Sequence, residues 1–504
     1  MPYSTRLLMV LTSLPSIREE LNQAIGQLLD AHCNKFEEMV LAFALKELSP
    51  SSAMEFEKGV AAEVRELGRQ LLELAFNVME PEDSDEVPHD VKYEAGGYRR
   101  LNEKKRNAYV STLFGRVTLW RRGYRSWHRG DGEKVIFPVE IQLGLVAGAT
   151  PALAEAASRY MAEAGATQAA VLSRLREQHN VAWGVPRLRE ATSQVAGALE
   201  RFRQEQQVIK ILQLLDKAHN SRGSRKPVLS AGRDGISLCD YQYRFYQVAT
   251  TGTIAVYDRS GNRLGTVYLA LPPELGQQEM TDRLTQLIEE VLTRWEGVLP
   301  RLAYVTDAGD NETGYYQRVL RRMRHPRTGK RLEWVRIVDY YHASERIWTM
   351  AHALFGRDER AANSWALRMC RLLKKPNGPS RVLHSAAAMF SRRTLPKPRQ
   401  DDYRKAYNYI RQRTKFMQYA DYKNDHMPIG SGVTEAACKT IFTQRLKLSG
   451  MRWTKDGARV ILTLRVILLS GIWDEVYSTY LDSHRHQDLA AYQPNRQNQT
   501  QIAA

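Results

Sequence analysis

Residues 243–272 read YRFYQVATTGTIAVYDRSGNRLGTVYLALP. Two runs rich in β-branched and aromatic residues flank the turn sequence DRSGN, and this pattern predicts two antiparallel strands. The preceding stretch PVLSAGRDGISL, residues 227–238, predicts one more strand. Together, the three segments predict a three-stranded meander.

After the meander, the pattern changes to alternating helices and strands. We predict a helix at 277–297, a strand in RLAYVTDAG (301–309), a helix at 312–324 and a strand in LEWVRIVDYY (332–341). A meander followed by two helix–strand units predicts an α/β fold with a mixed sheet covered by helices. In such a sheet the first and fourth strands can be neighbours.

The first 90 residues are predicted to form an acidic, helical association module. Residues 16–47 and 52–79 carry apolar side chains at helical spacing, which predicts two long helices. The acidic, proline-flanked stretch PEDSDEVPHD (81–90) predicts a linker. A free-standing helical hairpin is the alternative to an association module.

Two further regions precede the meander. Residues 91–145 are predicted to be a small strand-rich segment with a hairpin that turns near Gly115. Residues 146–225 are predicted to be helical, with a short break at 180–186 between two helices. This order of helix, break and helix is typical of a DNA-binding helix-turn-helix, although three-helix packing gives the same pattern.

After the sheet region, residues 343–425 are predicted to form a large helical insertion with 18 Lys or Arg and 7 Asp or Glu residues, a net charge of +11. Basic residues interleaved with aromatic ones can bind phosphates and stack bases, but the aromatics can equally form the core of the insertion. Residues 426–484 would complete the α/β core, and the polar tail 485–504 is predicted to be disordered. The aromatic residues of the insertion are Trp348, Trp365, Phe390, Tyr403, Tyr407, Tyr409 and Phe416.

Charge is distributed unevenly along the 504 residues, whose net charge is +17. Residues 1–90 hold 7 Lys or Arg and 17 Asp or Glu, a net charge of −10, so the remainder carries +27. This asymmetry predicts a body that binds a polyanion, with a merely soluble basic surface as the alternative. No apolar run is long enough to cross a membrane. The four cysteines are far apart and indicate neither a disulfide framework nor a Cys-rich zinc site, as expected in a reducing cytosol.

Two aspartates occupy positions suited to catalysis in the predicted sheet. Asp234 ends or closely follows the first strand, and Asp307 lies at the end of the fourth. A small residue follows each, Gly235 or Ala308, which leaves room for a ligand. Neighbouring carboxylates repel each other unless a cation lies between them, and hard oxygen ligands favour Mg²⁺ or Mn²⁺. The alternative is that each aspartate is only a turn residue or a helix cap.

A third acid is predicted on a late helix, in the stretch PIGSGVTEAACKTIFTQRLKLSGMRW (428–453). With Ser431 as helix cap, a helical projection places Glu435, Lys439 and Phe442 on the side away from the sheet. The opposite face, which can pack on the sheet, holds Ala437, Ile441 and Leu448.

Glu435 also has a simpler interpretation, because the helix dipole favours an acid in the first helical turn whatever its role. Against it, small residues would let this helix approach the sheet closely. Asp425 is the second choice for the third acid. The small residues are Gly430, Gly432, Ala436 and Ala437.

The order and spacing of these acids resemble the ribonuclease-H-like core of DDE transposases. That core has an acid on the first strand, an acid after the fourth and a glutamate on a late helix. The 128-residue interval from Asp307 to Glu435 resembles the subclass with a helical insertion before the glutamate, found in Mutator-type and related bacterial transposases. That subclass also carries an acid or cysteine, two residues and a histidine after the fifth strand, matched here by Asp339 and His342 in DYYH.

More closely, the chain resembles the ISKra group of insertion-sequence transposases over roughly residues 95–475. The matching segments are STLFGRVTLWRRGYR (111–125), DYYHASERIWTMAHALFG (339–356) and the stretch that holds Glu435. Relatives often have a cysteine pair suggestive of zinc after the early strands. The corresponding segment RGYRSWHRGDGEKVIF (122–137) has no cysteine, so we predict no zinc ribbon.

The resemblance implies a bacterial, cytoplasmic enzyme, associated with the nucleoid during action. It would bind terminal inverted repeats, cleave the DNA at the element ends and join the freed 3′ ends to target DNA. Asp234, Asp307 and Glu435 would hold two Mg²⁺ or Mn²⁺ ions. Self-association as a dimer or higher oligomer is expected, because paired ends must be held by more than one subunit.

Further residues have expected roles in this scheme. Asp339 and His342 would support the active site, His342 by contacting the scissile phosphate or by supporting Glu435, and Lys439 would hold the DNA backbone. The residues expected to contact DNA are Arg187, Arg189, Lys374, Lys375, Arg392, Arg393, Arg411, Arg445, Lys447 and Arg452.

Two other functions fit part of the pattern. A ribonuclease-H-like nuclease or resolvase without strand transfer would share the acids, but it has little use for a basic insertion and a helix-turn-helix. A domesticated, non-catalytic DNA-binding protein would be favoured by the loss of an acid, whereas all three acids are present.

Overall fold

The computed structural model describes residues 15–78, 80, 87–94, 96–101, 106–127, 135–239, 246–485 and 490–491. Most of the predicted linker (81–86) and of the predicted tail (486–489 and 492–504) lies outside the described residues. The chain divides into two compact units, the first with residues 1–161, 166–199 and 477–504, and the second with residues 162–165 and 200–476. In the part of the chain that the structure describes, no helix combines the length and apolar character needed to cross a membrane.

The two long helices predicted near the N-terminus are present as α1 (Pro15–Ala44) and α2 (Pro50–Val78). Asn77 joins α2 to the following hairpin, because its side chain donates to the Thr118 carbonyl at 2.8 Å and accepts from the Trp120 N–H at 2.7 Å. Leu72 and Phe76 of α2 pack against a small core formed by Val110, Val117, Leu119 and Val139.

The strand-rich segment contains its predicted hairpin. Strands β3 (Arg106–Thr112) and β4 (Gly115–Arg121) pair antiparallel, and the chain turns between them next to Gly115. A second sheet joins, in spatial order, β12 (Ala490–Ala491), β1 (Asp90–Tyr93), β2 (Gly96–Arg100), β5 (Tyr124–Ser126) and β6 (Val135–Ile136).

The region expected to resemble a helix-turn-helix does have two helices separated by a short break. Helices α3 (Pro138–Gln142) and α4 (Pro151–Ala162) come first, followed by α5 (Gln168–His179). Asn180 ends α5 in the left-handed conformation, and α6 (Val185–His219) follows. The helix–break–helix pattern is therefore confirmed, whereas DNA binding by it stays a prediction.

The second unit is built on a five-stranded mixed sheet, as predicted from the meander and the helix–strand units. The outer strands of the meander, β7 (Val228–Cys239) and β9 (Arg263–Leu271), pair antiparallel with the middle strand β8 (Tyr246–Tyr257). Strand β10 (Arg301–Thr306) pairs parallel with both β7 and β11 (Trp334–Val338). The first and fourth strands are therefore neighbours. In spatial order the sheet joins β11 (Trp334–Val338), β10 (Arg301–Thr306), β7 (Val228–Cys239), β8 (Tyr246–Tyr257) and β9 (Arg263–Leu271).

The two faces of this sheet are covered by different helices. Successive residues of β10 alternate between the faces, since Leu302 and Tyr304 join one core while Ala303 and Val305 join the other. The first core includes residues of α7 (Gln278–Arg294) and α8 (Asp310–Arg318), together with the second half of α6. Short 3₁₀ turns lie beside these helices at Leu275–Gln277 and Leu320–Arg322.

The second core joins the sheet to the helical insertion. The structure bears out the simpler interpretation of the insertion's aromatics, because they pack in or against this core. Trp365 and Tyr403 are buried, and the other five expected aromatics are half-buried. The insertion consists of α9 (Tyr340–Phe355), α10 (Glu359–Leu373), α11 (Gly378–Ser391), α12 (Lys397–Arg413), the 3₁₀ turn Thr414–Phe416 and α13 (Tyr419–Asn424).

The last part of the unit corrects the helical projection drawn around Glu435. Helix α14 (Gly432–Ala437) continues as a π-helical turn (Cys438–Thr443), before α15 (Lys455–Leu469). Helix α16 (Trp473–Arg485) begins in this unit and ends in the first one. Phe442 is fully buried together with Ile441, so its expected exposure beside Glu435 is wrong. The wider π turn changes the rotation per residue, and a projection at 100° per residue fails there.

Candidate active site

Asp234 and Asp307 come at the same distance beyond the last register pair of the neighbouring parallel strands β7 and β10. Tyr304 of β10 is the register partner of Ala231 of β7, and each aspartate comes three residues later in its own segment. Asp307 directly follows β10, as expected, but Asp234 lies inside β7 opposite Thr251 rather than at its end. Strand β7 therefore continues past the end of β10, and Asp234 lies beside the point where β10 ends.

The electrostatics of Asp234 show that the three predicted acids are close enough to interact. Burial raises the pKa of Asp234, and the negative charges of Asp307 and Glu435 raise it further. The thiol of Cys438 and the Gly235 N–H partly offset these effects by donating to the carboxylate. Removing this carboxylate's charge, or bringing in a cation, would relieve the repulsion.

Cys438 is a contact of Asp234 that the sequence did not point to. Its sulfur lies 3.3 Å from Oδ2 of Asp234 and 3.4 Å from Oγ1 of Thr251. Burial raises the pKa of the Cys438 thiol to about 12, with the charge of Asp234 adding to the effect. Cys438 is therefore a neutral donor that orients Asp234.

Glu435 is held by two side chains although it is itself about half exposed. Ser431 donates to its Oε1 at 2.7 Å, and Nε2 of His342 lies 3.4 Å from the same oxygen. The other ring nitrogen of His342 lies 3.2 Å from Glu345. Ser431 was expected to cap the helix, but its hydroxyl makes no capping bond and binds Glu435 instead.

Asp339 is fully buried and joins two segments of backbone. Its Oδ1 accepts the N–H of His342 at 2.9 Å and thereby caps α9, while its Oδ2 accepts the N–H of Ser431. The residue therefore fixes the loop before Glu435 to the start of the helix that carries His342. Asp339 therefore supports the candidate site by positioning the backbone at His342 and Ser431.

The close approach of α14 to the sheet depends on a glycine of the strand. A Cβ on Gly232 would lie 2.1 Å from Oγ1 of Thr434 and 2.7 Å from Oγ1 of Thr253, so only glycine fits there. The two threonine hydroxyls share a 2.8 Å hydrogen bond. Of the small residues expected to allow this approach, Gly432 and Ala436 are exposed, and only Ala437 is buried against the sheet.

Glu312, which the sequence analysis missed, is a fourth carboxylate of this region. It is 7% exposed and lies in the first turn of α8. A Cβ on Gly309 would lie 2.5 Å from Oε2 of Glu312 and 3.5 Å from Oδ1 of Asp307, so the two carboxylates flank the same glycine. Burial raises the pKa of Glu312, and the charges of Asp307 and Asp234 add to this. Its position five residues after Asp307, at the start of a predicted helix, was the available signal.

The donor set suits Mg²⁺ or Mn²⁺, because all four groups are carboxylates. Burial is the main cause of the raised pKa of Asp234 and Glu312, and a cation among the acids would remove the repulsion that adds to it. Among the described residues, however, no group of three or more His, Cys, Asp or Glu side chains is arranged to hold a metal ion. The acids are gathered at one end of the sheet without forming a closed metal site.

Asp425, the second choice for the third acid, lies at the opposite end of β10. It pairs at 2.9 Å with Arg301, the first residue of that strand, whereas Asp307 follows the last residue. Six residues of extended chain separate the two ends by roughly 20 Å. Asp425 therefore does not belong to the candidate site.

The residues expected to contact DNA differ in their exposure. Arg445 is 1% exposed and lies over the ring of Trp453, so the expectation that it contacts DNA is wrong for this conformation. Arg187 is half-buried and donates to the carbonyls of Ala147 and Gly148. Two others are half-buried over aromatic rings, Lys374 and Arg393. The remaining ones are exposed: Arg189, Lys375, Arg392, Arg411, Lys447 and Arg452.

Compared with protein-family models and with curated proteins, the sequence has no match to either. Function therefore has to be argued from the geometry of the site and from the resemblance of its motifs.

Proposed function

We propose that the chain is a DDE-type transposase with a ribonuclease-H-like core. It would bind the terminal inverted repeats of an insertion sequence, cleave the DNA there and transfer the 3′ ends to target DNA. The observation that carries the proposal is the strand register that aligns Asp234 with Asp307 on neighbouring parallel strands. Glu435 supports it, because its helix packs on the same strand at Gly232.

The chemistry needs little covalent participation by the protein, since phosphoryl transfer depends mostly on positioning and charge neutralisation. Asp234, Asp307 and Glu435 would hold two Mg²⁺ or Mn²⁺ ions, which when bound activate the attacking oxygen and stabilise the leaving one. Ser431 and His342 hold the carboxylate of Glu435 in place.

Lys439 is the residue proposed to hold the DNA backbone. Its side chain is exposed, and Lys439 lies four residues after Glu435 near the start of the π-helical turn, so its ammonium can bind a phosphate oxygen near the acids. Lys439→Ala should then leave a supercoiled substrate uncleaved. Full activity of this variant would show that Lys439 is not needed to hold the DNA backbone.

Strand cleavage of a plasmid that carries the native element ends, with Mg²⁺ present, tests the function. Glu435→Gln keeps the size of the side chain but removes the charge that a cation needs, and we expect cleavage to fall by about 100-fold or more. Glu345→Gln is the matched control, because it removes the same charge from the other carboxylate beside His342. The control should cleave like the wild type.

Three other results would change the assignment. Equal cleavage by wild type and Glu435→Gln would mean that Glu435 is no metal ligand. Cleavage without strand transfer would favour a nuclease or resolvase. Specific binding of the ends without any cleavage would favour a non-catalytic DNA-binding protein.

Self-association is proposed for the helical hairpin α1–α2. In its described part no apolar side chain is buried, and five large apolar residues of α1 and the following turn are exposed. A second copy would cover them, so Leu41→Lys should reduce the molar mass measured by light scattering, while Asn34→Lys should not. The exposed residues are Leu29, Val40, Leu41, Leu45 and Leu48.

A further inference from the structure

Two adjoining cavities of the second unit are lined almost entirely by basic and polar side chains. The first has a volume of about 440 Å³ and contains Arg336, Arg413 and Lys415. The second has a volume of about 500 Å³ and contains Arg322, Arg324 and Arg331. Both are lined by Gln317 and Arg321, so they form one continuous feature, which we name the arginine groove.

The arginine groove is positively charged without local compensation. Neither cavity is lined by an aspartate or a glutamate. Among the described residues, none of its seven cations forms an ion pair with a carboxylate; the ion pairs of this unit lie elsewhere, as at Arg283, Arg294 and Arg301. Clustered like charges raise the local potential, which favours an anionic partner.

Arg336 is a buried cation of the groove that its neighbours hold in place, unlike a mobile charge on the surface. It is 5% exposed, and it lies in the middle of the edge strand β11. One guanidinium nitrogen donates to Oγ1 of Thr313 at 2.6 Å, whereas its Nε has no hydrogen-bond partner in the described part of the chain. The rings of Tyr316 and Phe416 lie 5.4 and 4.6 Å from the guanidinium carbon.

A buried guanidinium without a counter-ion is costly, because it loses hydration that no partner replaces. Burial lowers the pKa of Arg336, and the charge of Arg413 acts in the same direction. An anion seated in the first cavity, which both Arg336 and Arg413 line, would neutralise these two cations. Guanidinium groups suit phosphate in particular, because their planar fork binds two oxygens at once.

We propose that the arginine groove binds successive phosphates of a nucleic-acid strand. Two cavities in series, each with at least four cations, fit a repeating anion better than a single small one. The groove also leads to the candidate site, since Arg413 lies 3.4 Å from the carbonyl of Ala308, the residue after Asp307. The inference rests on the proposed function, in that the strand is the DNA on which the active site acts.

The test is the salt dependence of binding of fluorescently labelled single-stranded and duplex DNA to the full chain, measured by anisotropy. Arg321→Gln combined with Arg324→Gln removes two exposed charges of the groove, and the slope of log affinity against log salt should fall by about 2. The matched control is Lys217→Gln combined with Arg222→Gln, which removes two exposed charges outside the groove and should leave the slope unchanged.

The groove variant and its control decide between the outcomes. An unchanged slope in the groove variant, or an equal decrease in the control, would overturn the proposal. Complete displacement of the labelled DNA by millimolar inorganic phosphate or a mononucleotide would also overturn it, because the groove would then bind small anions. A second variant, Arg336→Gln, should weaken binding while its thermal unfolding stays cooperative.

Failure of the groove can be distinguished from failure of the proposed function. Glu435→Gln should lower cleavage by about 100-fold or more while keeping the wild-type salt slope, whereas the groove variant changes the slope. If the wild type did not cleave DNA but the groove variant still lowered the slope, DNA binding by the groove would be supported and the proposed transposase activity would not.

Discussion

The hydroxyl of Tyr409 donates a 2.6 Å hydrogen bond to the backbone carbonyl of Asp307. Tyr409 lies on α12, so the helical insertion directly holds the backbone of a candidate catalytic residue. The next residue, Ala308, is buried and has φ of 65°, a left-handed conformation that costs alanine about 1 kcal/mol. The insertion thus stabilises a strained connection at the end of β10.

Tyr409→Phe is expected to slow DNA cleavage with little effect on DNA affinity, because only the position of Asp307 changes. If the hydroxyl offsets the strain at Ala308, Ala308→Gly should rescue the variant, since glycine adopts this conformation without cost. Single-turnover cleavage by the two single variants and the double variant measures the coupling. Tyr407→Phe, on the same helix, is the control for loss of a hydroxyl. Strictly additive effects of Tyr409→Phe and Ala308→Gly would disprove the coupling.

Gly232→Ala should destabilise the second unit by about 1–3 kcal/mol, because the added methyl group overlaps Thr434. Combination with Thr434→Ala should recover part of the loss. The control is Gly432→Ala, which adds the same group where nothing lies within 4 Å and should be neutral or stabilising. Thermal unfolding of the wild type and these three variants measures this. A stable Gly232→Ala protein would show that α14 need not approach the strand so closely.

Glu312→Gln is expected to weaken Mn²⁺ binding about tenfold, because it removes a negative charge beside Asp307 and Asp234. Asp310→Asn is the control, since it removes an exposed carboxylate from the same first turn of α8. Electron paramagnetic resonance of free Mn²⁺ gives the affinity without relying on activity. Equal affinities in the two variants would mean that Glu312 does not contribute to cation binding.

Glu200 should make the stability of the second unit depend on acid pH. Burial by itself raises its pKa, but ion pairs with Arg203 and Arg283 outweigh burial and lower the pKa to about 2 from an ordinary 4.5. A pKa lowered by folding means that the stabilisation is complete above about pH 4.5 and is lost as the pH falls towards 2. The side chain is 31% exposed, so solvent screens part of these ion pairs. We therefore expect Glu200→Gln to lower the free energy of unfolding by about 1–3 kcal/mol at pH 7.

The difference between wild type and Glu200→Gln should disappear as the pH approaches 2, which unfolding at a series of pH values measures. Glu205→Gln is the matched control. Its pair with Arg294 is similarly short but the side chain is 45% exposed, so it should change stability by less than about 1 kcal/mol. A constant difference for Glu200→Gln across the pH range would contradict the lowered pKa.

The sequence alone predicted the elements of the fold because their periodicity is local. Alternating apolar residues marked the three strands of the meander, and helical spacing marked α1, α2 and α7. The end of the fourth strand was also readable locally, so Asp307 was placed correctly, whereas Asp234 lies inside the longer strand β7. The 128-residue interval to Glu435 indicated the insertion. These features need no knowledge of which segments touch.

The tertiary structure decided everything that depends on contacts between distant segments. The register of Tyr304 with Ala231 aligns Asp234 with Asp307, and no local pattern encodes it. The burial of Phe442 and Arg445 follows from the π turn and the packing around it, which a regular projection cannot anticipate. Gly232 meets Thr434, and the arginine groove brings Arg321 together with Arg413, so both depend on neighbours that are far away in sequence. Packing, unlike periodicity, is a property of the whole chain.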